Sequence, residues 1–265
     1  MAVNFATIDK LIEEGFLMDS RFNSPAEIAS LVSKSGVTKS MLSLPKMILL
    51  GLMAGAFIAF GGAASDVAMH GVADVGLARV VAGVIFPVGL MLVVFTGSEL
   101  FTGNCLMIIP TLEKKIKAVS MIKNLVTVYI SNFVGAMIID LLIFFLGQLN
   151  YSNGGLGAFT IKVALAKTTI NPATAIISGI LCNILVCLAI VMATGATDAI
   201  GKIFGVFFPI CAFVVCGFEH CVANMFYIPT GVMAAMNPEY VAKAQELYGI
   251  CLLYTSPSPR DGATS

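Results

Sequence analysis

Five long apolar segments constrain this chain more than any other feature of its sequence. They cover about residues 45–65, 79–110, 123–146, 173–194 and 202–232, and a helix of roughly 20 apolar residues crosses a bilayer core. Because backbone polar groups in lipid must bond to one another, segments of this length predict spanning α-helices. The sequence therefore predicts an all-α membrane protein whose helices contact the lipid bilayer.

The composition supports this class and excludes others. Hydrophobic residues make up 58% of the 265 positions and charged residues only 11%. In a soluble domain, about a quarter of all residues are charged. The net charge is zero, and the few basic residues are scattered, so no nucleic-acid partner is expected.

Charge in the connecting segments predicts the orientation. Residues 1–44 are predicted to form a cytoplasmic N-terminal part with an amphipathic helix, which starts at the cap Ser24 and runs toward Ser40. Lysines in this part and before the third apolar segment favour the cytoplasmic side for both. Asp66 and Asp74 place the first connecting loop outside, and the segment between the third and fourth spans is expected to be an outer loop.

A repeated octapeptide interrupts the second and fifth apolar segments. Residues 97–104 and 217–224 both read G-x-E-x-x-x-x-N, 120 positions apart. Since three crossings separate the copies, the pattern predicts an inverted repeat of three plus three spanning helices with broken helices two and five. The glutamates and asparagines of the repeat are expected to brace the breaks, with the carboxylates accepting hydrogen bonds from freed backbone N–H groups: Glu99, Glu219, Asn104 and Asn224.

The repeat also predicts a sixth helix over about residues 243–266. The sequence there contains two prolines, an arginine and an aspartate, which do not suit a spanning helix. We therefore expect a channel domain over residues 45–249, broken at 96–104 and 217–224. Residues 250–265 are interpreted as a foreign or junction tail that replaces the sixth helix.

These motifs resemble the formate/nitrite transporter family of aquaporin-like small-anion channels. The resemblance covers about residues 45–237 and is carried by Glu99-Leu100-Phe101-Thr102, by Gly217-Phe218-Glu219-His220 and by the stretch 179–187. It implies a homopentamer in the cell's inner (plasma) membrane. It also implies a pore for a small monovalent anion: formate first, with nitrite or hydrosulfide as alternatives.

The resemblance implies roles for individual residues. His220 would face the pore centre, with Thr102 opposite it, Asn183 as a polar partner and Lys167 as a lysine of the vestibule. Two constrictions are implied, a cytoplasmic one and an outer one. The first comprises Phe86, Leu90 and Phe213, and the second Leu100, Phe101 and Val186. Lys162, by contrast, is interpreted as a loop charge.

Histidine suits proton transfer at the narrow point, because its reference pKa is about 6.5. We therefore expect His220 to relay a proton to the passing anion, so that it crosses as its conjugate acid. No enzyme activity, cofactor or metal is expected, since adjacent His220 and Cys221 alone make a poor metal site. An aquaporin-type neutral solute channel and an ion-coupled secondary transporter stay open as alternatives.

Overall fold

The computed structural model describes residues 22–250, which are almost entirely helical. The first helix, α1 (Pro25–Ser40), begins with a capping box in which Ser24 and Glu27 bond reciprocally. Asn23 then ties the start of this segment to the far end of the fourth span, because its N–H donates to Gly195 O at 2.7 Å.

Five helical segments are long and apolar enough to cross a membrane in the described part of the chain. They are α2 (Leu44–Met69), the pair α3 (Val75–Ile85) and α4 (Val88–Thr96), α7 (Ala118–Leu146), α9 (Pro172–Gly195) and α10 (Ala199–Cys216). The five predicted apolar segments are confirmed. Three of them agree with the helices to within five residues at each end, whereas the predicted segments 79–110 and 202–232 extend past Thr96 and Cys216 into the shorter helical runs that follow. The chain is therefore a multi-pass, all-α membrane protein.

Two shorter apolar runs follow the breaks. The first run, residues 101–112, consists of α5 (Phe101–Asn104), a 3₁₀ turn (Cys105–Met107) and α6 (Ile108–Leu112). The second is α11 (Cys221–Ala234). Both broken spans therefore consist of a long helix, a short loop and a short helix.

The prediction of a loop between the third and fourth spans is wrong, because this segment is largely helical. A 3₁₀ turn (Gln148–Asn150) leads into α8 (Gly155–Thr168), and a further helix, α12 (Pro238–Tyr248), packs beside it. Lys162 and Lys167 thus project from a helix, which fixes their directions. We refer to this end of the molecule as the α8 side and to the opposite end as the α1 side.

Asp66 also departs from the expectation that it lies in a connecting loop. It belongs to α2, and its side chain is only 3% exposed. Neither carboxyl oxygen has a hydrogen-bond partner among the described residues. A second buried acid, Asp140 on α7, accepts a hydrogen bond from the Thr230 hydroxyl of α11 at 2.8 Å.

The helices pack closely where small residues meet. A Cβ at Gly55 of α2 would lie 1.9 Å from the carbonyl oxygen of Asn132 on α7, so only glycine fits there. At Gly83, where α3 crosses α10, a Cβ would lie 2.8 Å from Val215 Cγ2 and 3.2 Å from the carbonyl oxygen of Cys211. Outward-facing isoleucines of α9, in contrast, are exposed and suit contact with lipid.

Candidate functional site: two breaks that meet at a histidine

The first break, residues 97–100, is fixed by backbone geometry and by a buried amide. Gly97 ends α4 with a φ of +67°, which favours glycine. Asn132 of α7 accepts from Phe101 N at 3.0 Å and donates to the carbonyl oxygens of Glu99 at 2.9 Å and Gly51 at 2.8 Å. Side-chain groups thus satisfy the backbone that leaves the helix.

Among residues 22–250 the Glu99 carboxylate is bonded by side chains and by no backbone N–H group, which corrects the expectation from the sequence. Lys39 Nζ of α1 lies 2.6 Å from Glu99 Oε1, and Asn104 Nδ2 donates to Glu99 Oε2 at 2.7 Å. Asn104 also donates to Asn124 of α7 at 2.7 Å. The carboxylate therefore joins α1, the break and the short helix that follows it.

The second break, residues 217–220, repeats this arrangement. Gly217 ends α10 with a φ of +73°. Lys167 Nζ of α8 lies 2.9 Å from Glu219 Oε2, and Asn224 Nδ2 donates to the same oxygen at 2.8 Å. A lysine, a glutamate and an asparagine thus hold each break. The glutamate and the asparagine belong to the repeated octapeptide, and the lysine does not.

His220 is the cap of α11. Its Nδ1 accepts from Ala223 N at 2.9 Å, and its Nε2 lies 3.2 Å from Thr102 Oγ1. The ring is 3% exposed and stacks on Phe213 with a centroid distance of 5.7 Å. Because Nδ1 accepts a hydrogen bond, the neutral ring carries its proton at Nε2, facing Thr102.

Two cavities meet at this histidine. The first, here called the α9 groove, has a volume of about 990 Å³ and is lined by Thr102, Asn183 and His220, among others. The second, here called the α8 vestibule, has a volume of about 480 Å³ and is also lined by His220. Lys167 and Glu219 line both cavities as well. The imidazole therefore lies between two open spaces.

The apolar residues assigned to constrictions are buried around the same point. Phe86, Leu90, Phe213, Leu100 and Val186 are each at most 3% exposed. Phe101 is half-buried and packs edge-on against Tyr129 with a centroid distance of 5.0 Å.

Members of the two apolar groups lie toward different ends of the site. Phe86 and Phe213 line the α8 vestibule, 5.7 Å apart between ring centroids. Leu100 is the last residue of the break that is anchored to Lys39 of α1, and Phe101 begins the short helix after it. Phe86 and Phe213 thus lie toward the α8 side, and Leu100 and Phe101 lie next to the carboxylate that contacts α1.

Several residues of this site were not singled out in the sequence. Lys39 lies 128 positions before Lys167, a spacing close to that of the octapeptides, and this was the signal that could have identified it. Asn132 gave no such signal, because an asparagine in an apolar span carries no motif. Within residues 22–250, no group of three or more His, Cys, Asp or Glu side chains is arranged to hold a metal ion.

Comparison with known proteins gives a consistent result. The sequence profile described as "Formate/nitrite transporter" matches residues 26–253. A protein of Methanothermobacter thermautotrophicus named "Probable formate transporter" is 43% identical over 236 residues, which covers 81% of this chain and 85% of that protein. The "Formate channel BtFdhC" of Bacillus thuringiensis is 41% identical over 216 residues, covering 80% of this chain and 83% of that protein.

A solved structure shows the same similarity in three dimensions. It is described as "Pentameric formate channel with formate bound", superposes with a TM-score of 0.69 and is 30% identical. The match covers 76% of this chain and 80% of the other. By the extent of the profile match and by these relatives, this membrane protein belongs to the formate/nitrite transporter family.

Proposed function

We propose that this protein conducts a small monovalent anion, formate foremost, across the membrane along a path that passes His220. The observation that carries the proposal is the position of the imidazole between two cavities, within hydrogen-bond distance of Thr102. The relatives named as formate transporters and channels support formate over nitrite or hydrosulfide.

The hydrogen bonds of His220 define what a proton relay requires. An anion that reaches the ring meets the Nε2 proton, which can donate a hydrogen bond to it. Transfer of that proton from the neutral ring would leave a strongly basic imidazolate. The relay therefore needs a second proton, taken from water in one of the cavities, which binds Nδ1 and breaks the hydrogen bond from Ala223 N. The Nε2 proton then leaves with the anion, and the neutral ring carries its proton at Nδ1 until Nε2 is protonated again and Nδ1 releases its proton to water.

Polar groups around the ring offer the solute replacement hydrogen bonds. Stripping an anion of water in an apolar passage is costly, and the Thr102 hydroxyl can donate to the solute while accepting from Nε2. Asn183 lines the α9 groove. Its amide N–H groups can donate to an anion, and its amide oxygen, which has no hydrogen-bond partner in the described structure, can accept from the protonated acid. We propose that these two side chains position the solute beside the imidazole.

The wider assembly follows the same reasoning. The two Lys–Glu–Asn arrangements support an inverted repeat in which the breaks enter the bilayer from opposite sides. The pentameric formate channel supports a homopentamer, and the lysines near α1 support a cytoplasmic N-terminus in the plasma membrane.

Purified protein in proteoliposomes tests the proposal. We expect formate uptake that accelerates as the pH falls, with protons moving alongside. His220→Asn should remove the pH dependence while keeping the helix cap, because asparagine is a good cap residue. Thr102→Ser, which keeps the hydroxyl group, serves as the matched control and should retain the pH dependence.

Other outcomes would favour other functions. Unchanged pH dependence in His220→Asn would reject the relay. Rapid water flux without formate flux would favour an aquaporin-type channel. Slow, saturable flux that requires a co-transported ion would favour a secondary transporter.

A further inference from the structure

The lining of the α8 vestibule contains two cationic side chains to which the proposed function gives no role, Arg79 and Lys162. The vestibule is also lined by Lys167, and Glu219 is the acidic residue among them. Lys167 is paired with Glu219 at 2.9 Å, so these two charges largely cancel. The field of the vestibule therefore depends on Arg79 and Lys162.

Arg79 is held in a fixed position by the second break. Its Nη1 donates to Val215 O at 3.1 Å, near the C-terminal end of α10, where a cation is favoured by the helix dipole. A Cβ at Gly217 would lie 2.4 Å from this Nη1. The guanidinium thus rests against the break, and its remaining N–H groups have no acidic partner within the described residues.

Lys162 is oriented by aromatic rings of two neighbouring helices, Phe159 of α8 and Tyr248 of α12. Its Nζ lies 4.4 Å from the ring centroid of Tyr248 and 6.0 Å from that of Phe159. Such contacts favour a defined position for the ammonium group. Throughout residues 22–250 no carboxylate lies within ion-pair distance of it. The helical context of Lys162 thus departs from the loop charge expected from the sequence.

We infer that Arg79 and Lys162 form an anion-collecting rim that raises the concentration of small monovalent anions in the α8 vestibule. An uncompensated pair of cations above a concave site lined by apolar rings attracts anions and speeds their arrival. Without the rim, the neutral Lys167–Glu219 pair would leave the vestibule nearly uncharged. The inference rests on the proposed anion transport and extends it to the capture step.

Initial rates of formate uptake in proteoliposomes test the rim. The variants are Arg79→Gln, Lys162→Gln and the double variant, measured below half-saturation and at low ionic strength. We expect the double variant to be roughly two- to fivefold slower, because two charges near the path are removed. The maximal rate at saturating formate should be unchanged, so the effect lies in KM.

Ionic strength and matched variants separate charge from structure. The difference from the wild type should vanish at roughly 0.5 M of an impermeant salt, because screening then acts over a few ångströms. Arg79→Lys and Lys162→Arg keep the charges and should behave as the wild type. Lys202→Gln, at the opposite end near α1, should leave uptake from the α8 side unchanged.

Equal KM values for the double variant and the wild type at low ionic strength would overturn the inference that Arg79 and Lys162 collect anions. A rate loss that persists at high salt would also overturn it, since it would indicate damage to the break and not a lost field. Failure of the wild type itself to move formate would reject the proposed function instead.

Discussion

Replacing Asn132 by leucine is the most direct test of how the first break is held. The amide is fully buried and serves three backbone groups: Phe101 N, Glu99 O and Gly51 O. Phe101 N and Glu99 O lie at the break, so no regular helical hydrogen bond can take the place of the one each makes to Asn132. Gly51 O lies inside α2 and keeps a helical position. Each buried group left unpaired costs about 1–3 kcal/mol, so Asn132→Leu should lower the free energy of unfolding by roughly 2–6 kcal/mol.

Thermal unfolding of the purified protein in detergent measures this loss. A cost of that size corresponds to a decrease in the apparent midpoint of roughly 5–20 °C. Formate uptake should fall as well, because Thr102 directly follows Phe101 and would lose its fixed distance to His220.

Ser131→Ala is the matched control one position away on α7. The Ser131 hydroxyl donates at 2.8 Å to Thr127 O within the same helix, so its loss should cost well under the effect at position 132. Equal midpoints for Asn132→Leu and the wild type, or equal decreases for both variants, would refute the reasoning.

Two further predictions concern packing and a buried acid. Gly55→Ala would place a Cβ 1.9 Å from a carbonyl oxygen of α7 and should prevent normal folding, whereas Gly71→Ala, with nothing within 4 Å, should not; fluorescence size-exclusion profiles compare the two, and similar profiles would contradict the packing argument. Thr230→Val removes the hydroxyl that donates to buried Asp140 at 2.8 Å and should lower the midpoint of thermal unfolding by the equivalent of about 1–3 kcal/mol. Adding Asp140→Leu to Thr230→Val should restore part of this loss, and a further decrease would contradict the assigned hydrogen bond.

The spans and breaks could be predicted because apolar length and an exact motif are local properties. The pairing of Lys39 with Glu99 could not, since a lysine in an N-terminal segment is equally typical of the cytoplasmic face. α8 was missed because glycines and polar residues near its start are also typical of a loop.

Asp66 illustrates a different limit. A carboxyl group inside an apolar helix is costly, so a sequence argument places it in the nearest loop. The fold instead accommodates it within α2. The position of Phe86 and Phe213 at the α8 vestibule likewise depends on how α3 and α10 pack, which spacing along the chain does not specify.

The crossing of α3 and α10 at Gly83 has a mechanical consequence. Because Gly83 has no Cβ, α3 lies close enough to α10 that a methyl group there would meet Val215 Cγ2 at 2.8 Å and the carbonyl oxygen of Cys211 at 3.2 Å. Movement of α3 along α10 at this point would therefore require the Val215 side chain to move. A rocking motion of one half of the protein against the other would have to separate this crossing first.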